Sequence, residues 1–118
     1  MWRVRVLVAD QDGAHRATIA GYLRAQGDRV VEVANARAAL LALTQDGADL
    51  LVVSVGSDRP DGHLVAERAR ALLPRLRVIY TTDWSERVRP VSEAVFLGRP
   101  VRLPALAEAL RWLCRATD

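Results

Sequence analysis

The hexapeptide Asp49-Leu50-Leu51-Val52-Val53-Ser54 constrains this chain more than any other stretch. A short run of bulky apolar residues between polar ones is the pattern of a strand buried on both faces. Such a strand belongs in the middle of a parallel sheet covered by helices on either side. Open α/β sheets place their chemistry just beyond the carboxyl ends of their strands. Here that end is Ser54, and Val55-Gly56-Ser57-Asp58-Arg59-Pro60-Asp61-Gly62 follows as a loop by composition. Whatever the protein does is expected to turn on Ser54 and its neighbours.

The flanking pattern supplies the rest of a parallel sheet. Arg3 to Ala9 alternates and then becomes continuously apolar, as a first strand entering a buried sheet does. Asp12 is placed to cap a helix over Ala14 to Gln26, with Ile19, Ala20 and Leu23 inward and Gly27 closing it. Arg29 to Val33 is a β-branched second strand, and Asn35 caps a helix that runs through Leu43 to Gly47. After the loop, a helix over Leu64 to Leu73 stops at Pro74, and Leu76 to Thr81 forms a fourth strand. Val95 to Leu97 is a short fifth strand. Leu103, Leu106, Leu110 and Leu113 mark one apolar face of a last helix starting near Pro104. Between strands four and five Pro90 forbids a long helix, so that helix is expected to be short or irregular. Strands alternating with helices at this spacing predict an α/β fold with a parallel sheet.

Composition narrows the function classes. The 118 residues suit a single domain spanning 1–118. No apolar run approaches the roughly 20 residues that span a bilayer. The run after Arg3 and Arg5 is too short for a signal peptide, so a cytoplasmic protein is expected, with no membrane partner. Cys114 is the only cysteine, which rules out an internal disulfide. All 17 basic residues are arginine, which has the look of a compositional bias and weakens inferences from any one of them. The formal charge is only +3 and acids are interspersed. Arginines concentrate in the second half, but without aromatic interleaving or a binding motif, so nucleic acid is not the expected partner. His15, in the first helix, is expected to be solvated, and no second His, Cys or serine motif converges on His63.

Five stretches together resemble the receiver domain of bacterial two-component response regulators, over nearly the whole chain. They are Val6-Leu7-Val8-Ala9-Asp10-Gln11-Asp12, Asp49 to Ser54, Asp61-Gly62, Val78-Ile79-Tyr80-Thr81-Thr82 and Phe96-Leu97-Gly98-Arg99-Pro100. The resemblance implies a flavodoxin-like (βα)5 three-layer sandwich with a five-stranded parallel sheet of order 2-1-3-4-5. Receivers take a phosphoryl group onto an aspartate at the end of the third strand. Ser54 stands there, and a neutral hydroxyl without a nearby base is no substitute for a carboxylate nucleophile. The family holds Mg²⁺ with two acids after strand one plus the acceptor. Asp10 is kept, but Gln11 replaces the second acid, so Mg²⁺ binding is expected to be weak or absent and no other cofactor is implied. Asp10 and Asp12 are the residual metal candidates, although capping is the more natural job of Asp12.

The family's lysine after strand five is Arg99 here, and a guanidinium fork is not an ammonium. With Ser54 uncharged, Arg99 becomes available to Asp10. The resemblance further implies a cis Arg99-Pro100 bond, a switch hydroxyl at Thr82 and a switch aromatic at Phe96. Turn and core roles for these two remain open. Trp84 and Trp112 are candidate contact residues.

The resulting expectation is a degenerate receiver, a pseudo-receiver, that is not an enzyme. It would act by phosphorylation-independent interaction with a histidine kinase, a response regulator or another signalling protein, or with a second copy of itself. Two alternatives stay open. One is a phosphorelay receiver using Asp58 or Asp61 as a substitute acceptor. The other is an arginine-rich nucleic-acid-binding module.

Overall fold

The computed structural model describes residues 4–56, 61–83 and 94–115. Its elements are β1 (Arg5–Ala9), α1 (Gly13–Ala25), β2 (Arg29–Val33), α2 (Ala36–Asp46), β3 (Leu50–Ser54), α3 (Gly62–Leu72), β4 (Arg77–Thr82), β5 (Ala94–Gly98) and α4 (Leu103–Arg115). All five strands are parallel, in the order β2-β1-β3-β4-β5. This is the predicted flavodoxin-like sheet. Every residue of β3 is buried, as its unbroken apolar run requires.

Side-chain alternation splits the core into two layers. Leu7, Leu51, Val53, Val78 and Tyr80 face α2 and α3, where they meet Ala39, Leu43, Val65, Ala66 and Ala69. Val6, Val8, Leu50, Val52 and Ile79 face α1 and α4, where they meet Ile19, Leu23, Leu106 and Leu113. No described helix is long and apolar enough to cross a membrane.

The two predicted caps form. Asp12 accepts the His15 backbone N–H at 3.1 Å, and Asn35 accepts that of Ala38 at 2.9 Å. Gly47 ends α2 at φ 68°, a conformation that favours glycine. Asp49 differs from expectation. It precedes β3 and turns its carboxylate to the Arg5 N–H at 2.9 Å, so it fastens β1 to β3 rather than extending the strand. Leu103 also differs: it opens α4 exposed, while Leu106 and Leu113 carry the buried face. Asp58, Trp84 and the helix expected around Pro90 lie outside the described residues.

α3 begins at Gly62, two residues earlier than the pattern predicts. The cause is a close approach of two backbones. A Cβ on Gly62 would lie 2.1 Å from the Ser54 carbonyl oxygen and 2.7 Å from Val55 Cγ1. Only a residue without a side chain lets α3 pack against the end of β3. Gly62→Ala is therefore expected to cost about 2–3 kcal/mol, as overpacking against rigid neighbours does. Urea unfolding checks this, and a change within about 0.5 kcal/mol, the range of an ordinary surface substitution, would contradict it.

Candidate functional site

Alternation along the strands selects the residues that meet at the carboxyl edge of the sheet. Val8, Val52 and Ile79 face the α1–α4 layer, so Asp10, Ser54 and Thr81 emerge on the same side two residues later. Register places Ser54 directly beside Thr81. On β5, Val95 and Leu97 face that layer too, and Arg99 follows them. Four polar residues from four strand ends thus converge on one point.

The point is a single nitrogen of Arg99. Its Nη1 lies 2.8 Å from Asp10 Oδ2, 2.7 Å from Ser54 Oγ and 3.1 Å from Thr81 Oγ1. Two hydrogens serve three acceptors, so one of them is shared. Ser54 Oγ and Thr81 Oγ1 are also within hydrogen-bond reach of each other at 3.2 Å. The Arg99 side chain is only 9 % exposed and that of Asp10 2 %, so this ion pair is shielded from solvent. The backbone contributes as well: Arg99 N–H donates to the Thr82 carbonyl at 2.8 Å. The Arg99-Pro100 bond is cis.

Asp10 is the hub on the acidic side. Its Oδ1 accepts the Asp12 N–H at 2.9 Å, and its carbonyl oxygen accepts Arg16 Nη1 at 2.8 Å. Its Oδ2 faces His15 Nδ1 at 2.6 Å as well as Arg99. His15 Nε2 in turn accepts the Val101 N–H at 3.0 Å. That acceptor role assigns the proton of a neutral ring to Nδ1, which donates it to Asp10. Burial alone would push the Asp10 carboxyl up. The hydrogen bonds from Arg99, His15 and the Asp12 amide, with the Arg99 charge, outweigh burial and hold it below the ordinary aspartate value.

His15 corrects an expectation. Its side chain is 8 % exposed rather than solvated, and it ties α1 to the turn between β5 and α4. No local pattern signals this, because Val101 is 86 residues away in sequence. Thr82 is a second difference. It was the expected pocket hydroxyl, but the hydroxyl at Ser54 and Arg99 belongs to Thr81. Adjacent strand residues face opposite sides, so Thr82 is buried on the side of Tyr80 and Phe96. Phe96 stacks on Tyr80 with ring centroids 4.8 Å apart, and His63 lies 5.5 Å from Tyr80. Gln11 is exposed at the rim of a cavity of about 120 Å³ that Asp10, Asn35, Ser54, Asp61 and Gly62 also line. Trp112 is 53 % exposed on α4, away from these contacts.

The residues present do not fit a magnesium ion. Mg²⁺ demands oxygen ligands at about 2.0–2.1 Å in near-octahedral geometry. Both Asp10 carboxylate oxygens already accept hydrogen bonds, and Ser54 Oγ accepts one from a cationic nitrogen. A divalent ion on Asp10 Oδ2 would sit against the Arg99 guanidinium. No group of three or more His, Cys, Asp or Glu side chains placed to hold a metal ion occurs among the described residues.

The fold and the polar convergence at its switch point define a doubly wound parallel α/β protein with its site at the carboxyl edge. No protein-family model matches the sequence, and no curated protein does. Solved structures match it over nearly the whole chain. The receiver domain of the hybrid histidine kinase CckA is 27% identical, with a TM-score of 0.76, covering 92% of this chain and 97% of that one. A response regulator receiver protein from Sinorhizobium medicae WSM419 is 24% identical, with a TM-score of 0.82 and 98% of each chain covered. A CheY-like receiver domain protein from Methanospirillum hungatei JF-1 is 21% identical, with a TM-score of 0.79, covering 97% and 96%. The fold is that of response regulator receiver domains, and the resemblance drawn from the five sequence stretches holds.

Acid should test the hub. A depressed carboxyl stabilises the fold above the unfolded aspartate value near pH 3.9, and that contribution is lost as pH falls through the lower folded value. Asp10→Asn is expected to remove this share of the acid sensitivity and to cost about 3–5 kcal/mol at neutral pH, because it leaves a buried arginine uncompensated. Denaturant titrations at several pH values check both effects. Unchanged neutral stability with an unchanged acid limb would contradict the hub role.

Proposed function

We propose that this chain is a receiver-like signalling module that acts by protein–protein interaction without phosphoryl transfer. One observation carries the proposal: the residue at the tip of β3 is a hydroxyl already engaged by a cation. Ser54 Oγ accepts from Arg99 and lies against Thr81, and neither neighbour is a base that could take its proton. A carboxylate acceptor needs none of this help. Gln11 in the place of the second acid, and Asp10 committed to Arg99 and His15, agree with the same reading.

The proposal includes no catalytic activity, no cofactor, no functional Mg²⁺ site and a cytoplasmic location. Receiver domains work on protein partners such as kinases and effectors. The partner is accordingly a histidine kinase, a response regulator or another signalling protein, or a second copy of this chain. Exposed Trp112 offers a broad apolar contact on α4. Trp84 is a further sequence candidate.

The test is incubation with acetyl phosphate and Mg²⁺ followed by intact-mass measurement. The expected result is an unmodified chain. A phosphoryl adduct on any residue would overturn the proposal, and one on Asp58 or Asp61 would point to a substitute acceptor beside the vacated position.

A further inference from the structure

Outside the contacts of Arg99, the candidates carry less. The cavity rimmed by Gln11 is small and bordered by Asp10 and Asp61. The exposed apolar residues Val31, Leu41, Leu64 and Leu72 have nothing in the structure that says what covers them. The Arg99 cluster is different, because its ligand is already in place.

We infer that Asp10, Ser54 and Thr81 form a guanidinium-binding site whose ligand is the chain's own Arg99. This tethered cation, rather than a metal ion or a phosphoryl group, holds the turn between β5 and α4 in one state. The inference deepens the proposed function and rests on it for its meaning in signalling.

Four features support it. The oxygens come from three different strand ends, β1, β3 and β4, while the cation comes from β5. The bound group therefore bridges four of the five strands at their carboxyl edge. The buried partners also balance in charge, Asp10 against Arg99, with two neutral hydroxyls beside them and the exposed Asp12 carboxylate 4.0 Å from Arg99 at the rim. An added divalent ion would leave a buried excess of positive charge, which a low-dielectric site resists. The backbone beside Arg99 is fixed on both sides. Arg99 N–H is held by the Thr82 carbonyl, and Val101 N–H is held by His15, which itself donates to Asp10. Finally, the guanidinium has a second arm that a point-like ammonium lacks: while Nη1 meets the three acceptors, Nη2 lies 4.0 Å from Asp12 Oδ2.

The consequence is a module that presents one arrangement of α4. Asp10 grips the turn twice, through Arg99 and through His15, so the start of α4 follows the state of the cation site. With the cation covalently attached, no soluble ligand is needed to reach that state. His15 is a positioning residue here, acting through Asp10 and Val101.

Chemical rescue tests the inference. Arg99→Ala empties the site while leaving all three acceptors. The variant is expected to melt about 10 °C or more below wild type, as loss of one partner of a buried pair implies. Low-millimolar guanidinium chloride, far below denaturing concentrations, should recover part of that loss, and equal sodium chloride should not. Hydrogen exchange at the Val101 amide should accelerate in the variant and slow again with guanidinium. Arg99→Lys should fall between the two. Wild-type stability in Arg99→Ala, or equal effects of the two salts, would overturn the inference.

Should Arg99→Ala fail to fold, the wild-type chain supplies the readout by ¹⁵N-resolved spectroscopy. Arg99 Nη–H signals should be separate and slow to exchange with water, unlike those of exposed Arg111. Fast, averaged Arg99 signals would overturn the inference. A phosphoryl adduct in the acetyl phosphate experiment would overturn the functional proposal instead, so the two failures are distinguishable.

Discussion

The ion pair between Arg99 and Asp10 is the constraint on which the carboxyl edge of this sheet depends. It spans 89 residues of sequence and is almost wholly out of solvent. A buried charge pair adds little net stability compared with a well-packed apolar pair, because both charges lose their hydration. Breaking it is costly for the same reason, since the survivor cannot recover water. The pair therefore specifies an arrangement more than it adds stability. It permits one position for the end of β5 and, through His15 and Val101, one position for the start of α4.

The hydrophobic layers prepare this interaction. β3 lies at the centre of the sheet with both faces covered, so Ser54 reaches the edge at a fixed height beside Thr81. Gly62 brings α3 onto the Ser54 carbonyl, which fixes the other side of the same residue. Alternation then delivers Asp10, Ser54, Thr81 and Arg99 to one face and Tyr80, Thr82 and Phe96 to the other. The polar cluster is thus a consequence of strand register, and one residue of slip in any strand would disperse it. With a hydroxyl at the tip of β3, Arg99 meets Asp10 as its buried counter-charge and two neutral acceptors beside it.

Much of this was legible from residue patterns. The apolar run of β3, the caps at Asp12 and Asn35 and the glycine at 47 are local signals, and each works through local physics. The sheet order followed from the resemblance, and the pairing of Arg99 with Asp10 was foreseen as an option. What could not be read was side-chain geometry across long separations. His15 looked like a surface residue because nothing within one helix turn reveals that its ring reaches Val101. Thr81 and Thr82 are chemically identical neighbours, and only the register with Ser54 decides between them. The stacking of Phe96 on Tyr80 likewise follows from a cross-strand pairing that composition does not contain.

The central claim is that the carboxyl edge already holds its cation. A magnesium titration of the wild-type chain, followed at the backbone amides of Asp10 and Ser54 and at the guanidinium of Arg99, tests it most directly. The account predicts no saturable shift at any of the three. Saturable shifts at Asp10 and Ser54, accompanied by release of the Arg99 signals into fast exchange with water, would contradict it.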